Sequence, residues 1–111
     1  MKDNKYYINK ILGFCDNILE YTENYNFEDF VNDSKTFNAC ILCICQIGEF
    51  SKNFSSEFLK KYSFIDWYSI KGTRNRFIHD YEGINNKILW EIVSESIPKL
   101  KLDLTLILKE L

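Results

Sequence analysis

The sequence predicts an all-α fold: a compact up-and-down bundle of four to five helices, with residues 1–111 as one domain. Three observations predict it. Apolar residues recur at steps of three and four along nearly the whole chain, no β-hairpin signal competes with them, and no repeat, linker or low-complexity stretch divides the sequence. At this length folding hides about 65% of the surface that the unfolded chain exposes. With 46% hydrophobic and 16% aromatic residues, the chain can fill one core without disulfides.

The first helix follows from Tyr7, Ile8, Ile11, Leu12, Cys15, Ile18, Leu19 and Thr22, a stripe from which Lys5, Lys10, Asp16 and Glu20 are excluded. A short turn of helix is predicted at Phe27 to Val31, with Asn26 as its cap and Asp29 completing a variant capping box. A second long helix runs from Asp33 or Ser34 to about Asn53, on the stripe Phe37, Cys40, Ile41, Ile44, Ile47, Gly48 and Ser51. Residues 39–45 are apolar all round, so this helix is either central to the bundle or faces a second subunit. Gly48 would let a neighbouring helix approach closely.

Ser55 or Ser56 can cap a short helix over "SEFLKKY", and Asp66 is the cap of the next, where Trp67, Ile70, Phe77, Ile78 and Tyr81 resume a helical pattern. "YEGINN" reads as a loop. The last segment places Ile88, Leu89, Ile92, Val93, Ile97, Leu100, Leu104, Ile107, Leu108 and Leu111 at helical spacing. Pro98 in its middle is expected to kink or split the helix, because proline lacks the backbone donor and crowds the carbonyl four residues back.

Composition excludes several functions. A net charge of −2 provides no global basic field, so contact with phosphate must be local. The segment "MKDNKYYINKILGFCDNILEYTEN" is interrupted by Lys10, Asp16 and Asn17 and lacks the unbroken apolar core of a signal peptide or membrane span, so a soluble, cytoplasmic protein is expected. Cys40, Cys43 and Cys45 crowd into "ACILCIC", but Ile and Leu flank them and Cys45 would point away from the other two on a helix. Together with Cys15 they read as reduced core thiols rather than as metal ligands. No metal and no cofactor are expected.

The chemistry concentrates in "TRNRFIHDY", residues 73–81. Fourteen residues are Lys or Arg, yet the only arginines, Arg74 and Arg76, and the only histidine, His79, fall together here. A histidine can accept the proton of a ribose 2′-hydroxyl, and an arginine can hold a phosphate with a planar fork of donors and stabilise the charge that builds on it. On a continuous helix Asn75 and His79 stack one above the other, whereas Arg74 lies about 140° around from His79. For both to act on one phosphate, the helix must loosen between them, Arg74 must reach round, or two subunits must share a cleft. The bland alternatives also stand: His79 as a structural residue, Tyr81 as a core aromatic, and Asp80 as a solvated charge or the group that orients His79.

The string Arg74, Asn75, three residues, His79, one residue, Tyr81 resembles the R-N-x-x-x-H-x-Y signature of the HEPN superfamily, in its HepT-like toxin branch. "NFEDFVNDSKTFNACILCICQIGEFSKN" is similar to that family's second-helix region with its I-G-E ending, "FIDWYSIKGTRNRFIHDYEGIN" to its central block, and "LWEIVSESIPKL" to its terminal helix. Asp66 stands where the family often has proline, a swap between two residues that both start helices well.

This resemblance implies a HEPN-like homodimer whose paired motifs line a cleft at the two-fold axis and cleave RNA without a metal. His79 would be the general base or acid, Arg74 would bind and stabilise the scissile phosphate, and Asn75 would orient the reacting group or the RNA. The implied partner is a nucleotidyltransferase antitoxin, which in several cases silences the toxin by adding AMP to the tyrosine matching Tyr81; charge and bulk there would obstruct the RNA backbone. Dimerisation would double a patch of Lys71, Arg74 and Arg76, which an otherwise acidic chain needs to hold RNA. A non-catalytic HEPN module that binds a nucleotide or docks a partner is the alternative, with Arg74 and His79 as ligand contacts only.

Overall fold

Short polar side chains start the helices. In the computed structural model, which describes residues 2–111, Asp3 accepts from Tyr6 N–H at 3.0 Å and opens α1 (Asn4–Tyr21). Asn24 turns the chain at φ 64°, a left-handed conformation that asparagine tolerates better than most residues. The full capping box then forms: Asp29 N–H donates to Asn26 Oδ1 at 2.8 Å, and Asn26 N–H to Asp29 Oδ2 at 3.1 Å, opening α2 (Phe27–Asn32). Asp33 caps α3 (Ser34–Ser51), Ser55 caps α4 (Ser56–Lys61), and Asp66 caps α5 (Trp67–His79).

A 3₁₀ turn at Tyr81–Gly83 leads to Asn85, the cap of α6 (Asn86–Glu91), and a π turn at Ile92–Ser96 joins α6 to α7 (Ile97–Glu110). No strand occurs among the described residues. Pro98 does not break the last helix. The chain widens just before it, so that Ile97 N–H donates to the carbonyl of Ile92, five residues back, and Pro98 enters the first turn of α7, where its missing donor costs little. One buried stripe, Leu89, Val93, Ile97, Leu100, Leu104 and Ile107, therefore runs through α6 and α7.

Four long units, α1, α3, α5 and the joined α6–α7, carry the bundle, and α2 and α4 are short additions. α3 lies between α1 and α5, and α1 also packs on α7. The predicted stripe of α1 is the observed one, with Ile8, Ile11, Cys15 and Ile18 buried. α3 buries Cys40, Ile41, Cys43, Ile44, Ile47, Gly48 and Ser51, as expected of a central helix, although Leu42 stays 61% exposed. Phe30 of α2 is fully buried between Phe37 and Trp90, with ring centroids 5.4 and 5.2 Å away.

Three cysteines are buried in this core and Cys45 is half-buried, and all four are free thiols. Burial pushes Cys15 and Cys40 up to about 12 and raises Cys43 and Cys45 as well, which suppresses the reactive thiolate. Among the described residues no helix is long and apolar enough to cross a membrane.

Candidate active site

α5 is positioned mainly by its ends and by α3. At its start Asp66 accepts from Ser69 N–H (3.0 Å) and Ser69 Oγ (2.9 Å). Trp67 donates its indole N–H to the Tyr62 carbonyl at 3.1 Å, while its ring packs 5.3 Å from that of Phe54. Phe77 is the only buried residue of α5. The helix otherwise presents most of its surface outward, with Tyr68 89% exposed and Ile78 49% exposed.

The closest approach to α3 falls on Gly48. A β-carbon there would run into Arg74 Cβ, come within 2.8 Å of Arg74 Cγ, and sit 3.3 Å from the carbonyl of Ile70. The absent side chain thus makes room for the stem of Arg74 itself. From that fixed stem the guanidinium makes two bonds: Nη2 lies 2.8 Å from Glu49 Oε2, and Nη1 donates to Asn75 Oδ1 at 2.8 Å. Its Nε is buried and has no acceptor among the described residues. Lys52 Nζ approaches the same Glu49 oxygen at 3.4 Å.

α5 is continuous through the motif, with Asp80 N–H donating to the Arg76 carbonyl at 2.8 Å. The helix therefore does not loosen between Arg74 and His79. Instead Arg74 reaches toward Asn75, and Asn75 shares a face with His79, about 40° apart and one turn up the helix. The motif's polar groups form a sequence around the helix from the α3 contact outward: Glu49, Arg74, Asn75, His79.

His79 closes the helix as its last residue, exposed, and no ion pair joins it to Asp80 among the described residues. Asp80 instead sets its carboxylate against Gly83, where a β-carbon would come within 2.6 Å of Oδ1. Lys71 and Arg76 are exposed on α5, clear of any ion pair among the described residues. Tyr81 is not a core aromatic: it is 51% exposed in the 3₁₀ turn, and its hydroxyl donates to Asn38 Oδ1 on α3.

Sequence reasoning placed Gly48 beside a neighbouring helix but missed what Glu49 and Asn38 do. Asn38, Leu42, Cys45 and Glu49 fall at i, i+4, i+7 and i+11, one face of α3, and this is the face that meets Arg74 and Tyr81 at its two ends. The I-G-E string was the available signal for Glu49; nothing local marked Asn38. A groove of about 360 Å³ lies elsewhere, on the flank of α5 that carries Ser69, Ile70 and Thr73. Its floor is apolar, made by Ile44, Ile47 and Leu100, and none of Arg74, Asn75, His79 or Tyr81 lines it.

Comparison with known proteins gives a consistent result. The family model described as "Ribonuclease HepT-like" matches residues 11–107. The chain is 38% identical over 101 residues to a "Putative RNase" of Caldanaerobacter subterraneus subsp. tengcongensis, covering 91% of this chain and 90% of that one. It is 37% identical over 100 residues to the "Probable ribonuclease HepT" of Thermococcus cleftensis, covering 90% and 91%. A "Gamma-glutamylcyclotransferase and putative RNase" of Methanocaldococcus jannaschii is 38% identical over 110 residues, which is 99% of this chain and 50% of that protein. No solved structure matches.

Proposed function

The chain belongs to the HepT-like ribonuclease family, and from that premise we propose that it is the toxin of a toxin–antitoxin pair, an endoribonuclease that cleaves RNA by attack of a 2′-hydroxyl. The observation that carries this reading is the run of polar groups along α5, in which Arg74 is hydrogen-bonded to Asn75 and Asn75 lies one turn from His79. In the reaction His79 takes the proton of a ribose 2′-hydroxyl. The oxygen attacks the adjacent phosphorus, and the bond from phosphorus to the 5′ oxygen breaks. The leaving oxygen takes a proton from an imidazolium, and the products are a 2′,3′-cyclic phosphate and a 5′-hydroxyl. Arg74 stabilises the charge that develops on the phosphoryl oxygens, Asn75 orients that guanidinium, and Lys71 and Arg76 hold flanking phosphates. No step uses a metal or a cofactor.

The active form is a homodimer. The outward ridge of α5, Tyr68, Gly72, Asn75 and His79, supports it, because Tyr68 is almost fully exposed and the space beside Gly72 is open. A second copy across this ridge supplies the second His79, one acting as base and the other as acid, in the cytoplasm of the producing cell. A nucleotidyltransferase antitoxin silences the enzyme by placing AMP on Tyr81, whose half-exposed ring stands two residues beyond His79.

The test is cleavage of RNA by the purified protein with and without EDTA. His79→Ala and Arg74→Ala are each expected to lower the rate about 100-fold or more, with an unchanged helical spectrum and with chelator making no difference. A His79→Ala protein that cuts at the original rate would refute the catalytic assignment, and so would activity that EDTA removes. With the partner enzyme and ATP, the added mass should map to Tyr81, and a modification mapping elsewhere would remove the switch from this residue.

A further inference from the structure

We infer that Glu49 is a positioning residue for RNA cleavage, aiming the Arg74 guanidinium while opposing RNA binding through its own charge. The inference rests on the reading of Arg74 as the phosphate-binding group and adds a residue outside the motif to the machinery.

The argument starts from the donors of Arg74. A guanidinium has five N–H groups in a rigid plane. One on Nη2 meets Glu49 at 2.8 Å, one on Nη1 meets Asn75 at 2.8 Å, and the Nε group is turned inward without an acceptor. Two Nη donors remain, and because the fork is planar, fixing two edges fixes where they point. The stem adds no freedom, since Arg74 Cβ and Cγ lie against Gly48. Solvent does not choose the orientation either: the Arg74 side chain is only 22% exposed, against 50% for Glu49. Asn75 is on the same helix as Arg74, so Glu49 is the side chain that refers the guanidinium to the rest of the bundle.

The same carboxylate has an opposite effect on binding. A negative charge in contact with the phosphate-binding arginine repels an approaching RNA backbone, and Lys52 at 3.4 Å offsets only part of it. Positioning and charge can be separated by substitution. Glu49→Gln keeps an oxygen that can accept from Nη2 and discards the charge. Glu49→Ala discards both.

The experiment measures kcat and KM for RNA cleavage by the wild-type chain, Glu49→Ala, Glu49→Gln, Arg74→Ala and the double variant Glu49→Ala/Arg74→Ala, with thermal unfolding of each. Glu49→Ala is expected to lower kcat about 10- to 100-fold without raising KM, the scale of loss when a reacting group is misplaced by about an ångström. Glu49→Gln should recover most of kcat and show a KM about 2- to 5-fold below wild type, a difference that shrinks as salt is added. In the Arg74→Ala background, removing Glu49 should change kcat no further, as expected if it acts only through Arg74.

A Glu49→Ala protein with wild-type kcat beside an inactive Arg74→Ala would overturn the inference and leave the proposed function standing. So would a Glu49→Gln protein no better than Glu49→Ala at equal thermal stability. A fully active Arg74→Ala would instead refute the reading on which the inference rests.

Discussion

α3 and α5 lie side by side in the same bundle and are held by different physics. α3 buries seven residues between its neighbours, whereas α5 buries only Phe77. One helix is fixed by removing apolar surface from water, at about 25 cal/mol for each Å². The other buries only Phe77, with Trp67 and Ile70 partly covered, and adds a cap, an indole hydrogen bond and two polar links to α3, Arg74 to Glu49 and Tyr81 to Asn38. The contrast shows how a small chain frees one long helix to present polar groups: most of the apolar burial is done by α3 and its other neighbours, and α5 combines a narrow apolar contact with a few directional ones that leave its outer face open.

Breaking the apolar side should have the largest effect on stability. Phe30→Ala removes a fully buried ring packed against Phe37 and Trp90 and is expected to cost about 3–5 kcal/mol, readable as a fall in the denaturant midpoint with an unchanged slope. If it cost under about 1 kcal/mol, the division between a core-held and a contact-held region would be wrong. Gly48→Ala tests the seam between the two. The added carbon meets the Arg74 stem and the Ile70 carbonyl, so α5 must shift; a loss of about 1–3 kcal/mol is expected, together with a drop in RNA cleavage larger than that of Phe30→Ala measured below its melting temperature.

The smallest effect concerns the helix caps. Asp66 is held below the usual carboxylate range by the Ser69 backbone N–H and then by its hydroxyl, and Asp33 by the Tyr25 hydroxyl and then by Thr36. With the folded values depressed, the unfolded chain binds more protons in acid, so this contribution is complete above the unfolded pKa near 4 and is lost as pH falls through the lower folded values. Thermal midpoints measured from pH 6 down to pH 3 should therefore decline. Asp66→Asn, which keeps a capping oxygen but does not titrate, should flatten part of that decline, and an unchanged slope would count against the cap.

What the sequence made legible follows the same division. The stripes of α1 and α3 and the Asn26/Asp29 box were readable, because each depends on residues within about one or two helical turns of one another. The motif was readable as a string, and the azimuth of Arg74 relative to His79 was correctly posed as a problem. The long-range partners were not legible: Glu49 and Asn38 meet Arg74 and Tyr81 across 25 and 43 residues of chain, and local periodicity carries no record of such pairings. Pro98 taught a similar lesson. The local rule predicts a kink or break, but the buried stripe of α6 and α7 runs on through it, and widening by one π turn satisfies both demands.

The two links to α3 also have a mechanical consequence. Asn38 and Glu49 are eleven residues apart on one rigid helix, a baseline of about 16 Å at 1.5 Å per residue. α5 is thus linked to α3 just past its middle, at Arg74, and again beyond its end, at Tyr81. Without the Tyr81 link, α5 would still be held past its middle by Arg74 and by the buried Phe77. His79 lies between the two links, two residues before Tyr81 and two after the buried Phe77. A group attached to the tyrosine oxygen would take away the donor of the Asn38 link and leave the Arg74–Glu49 link intact.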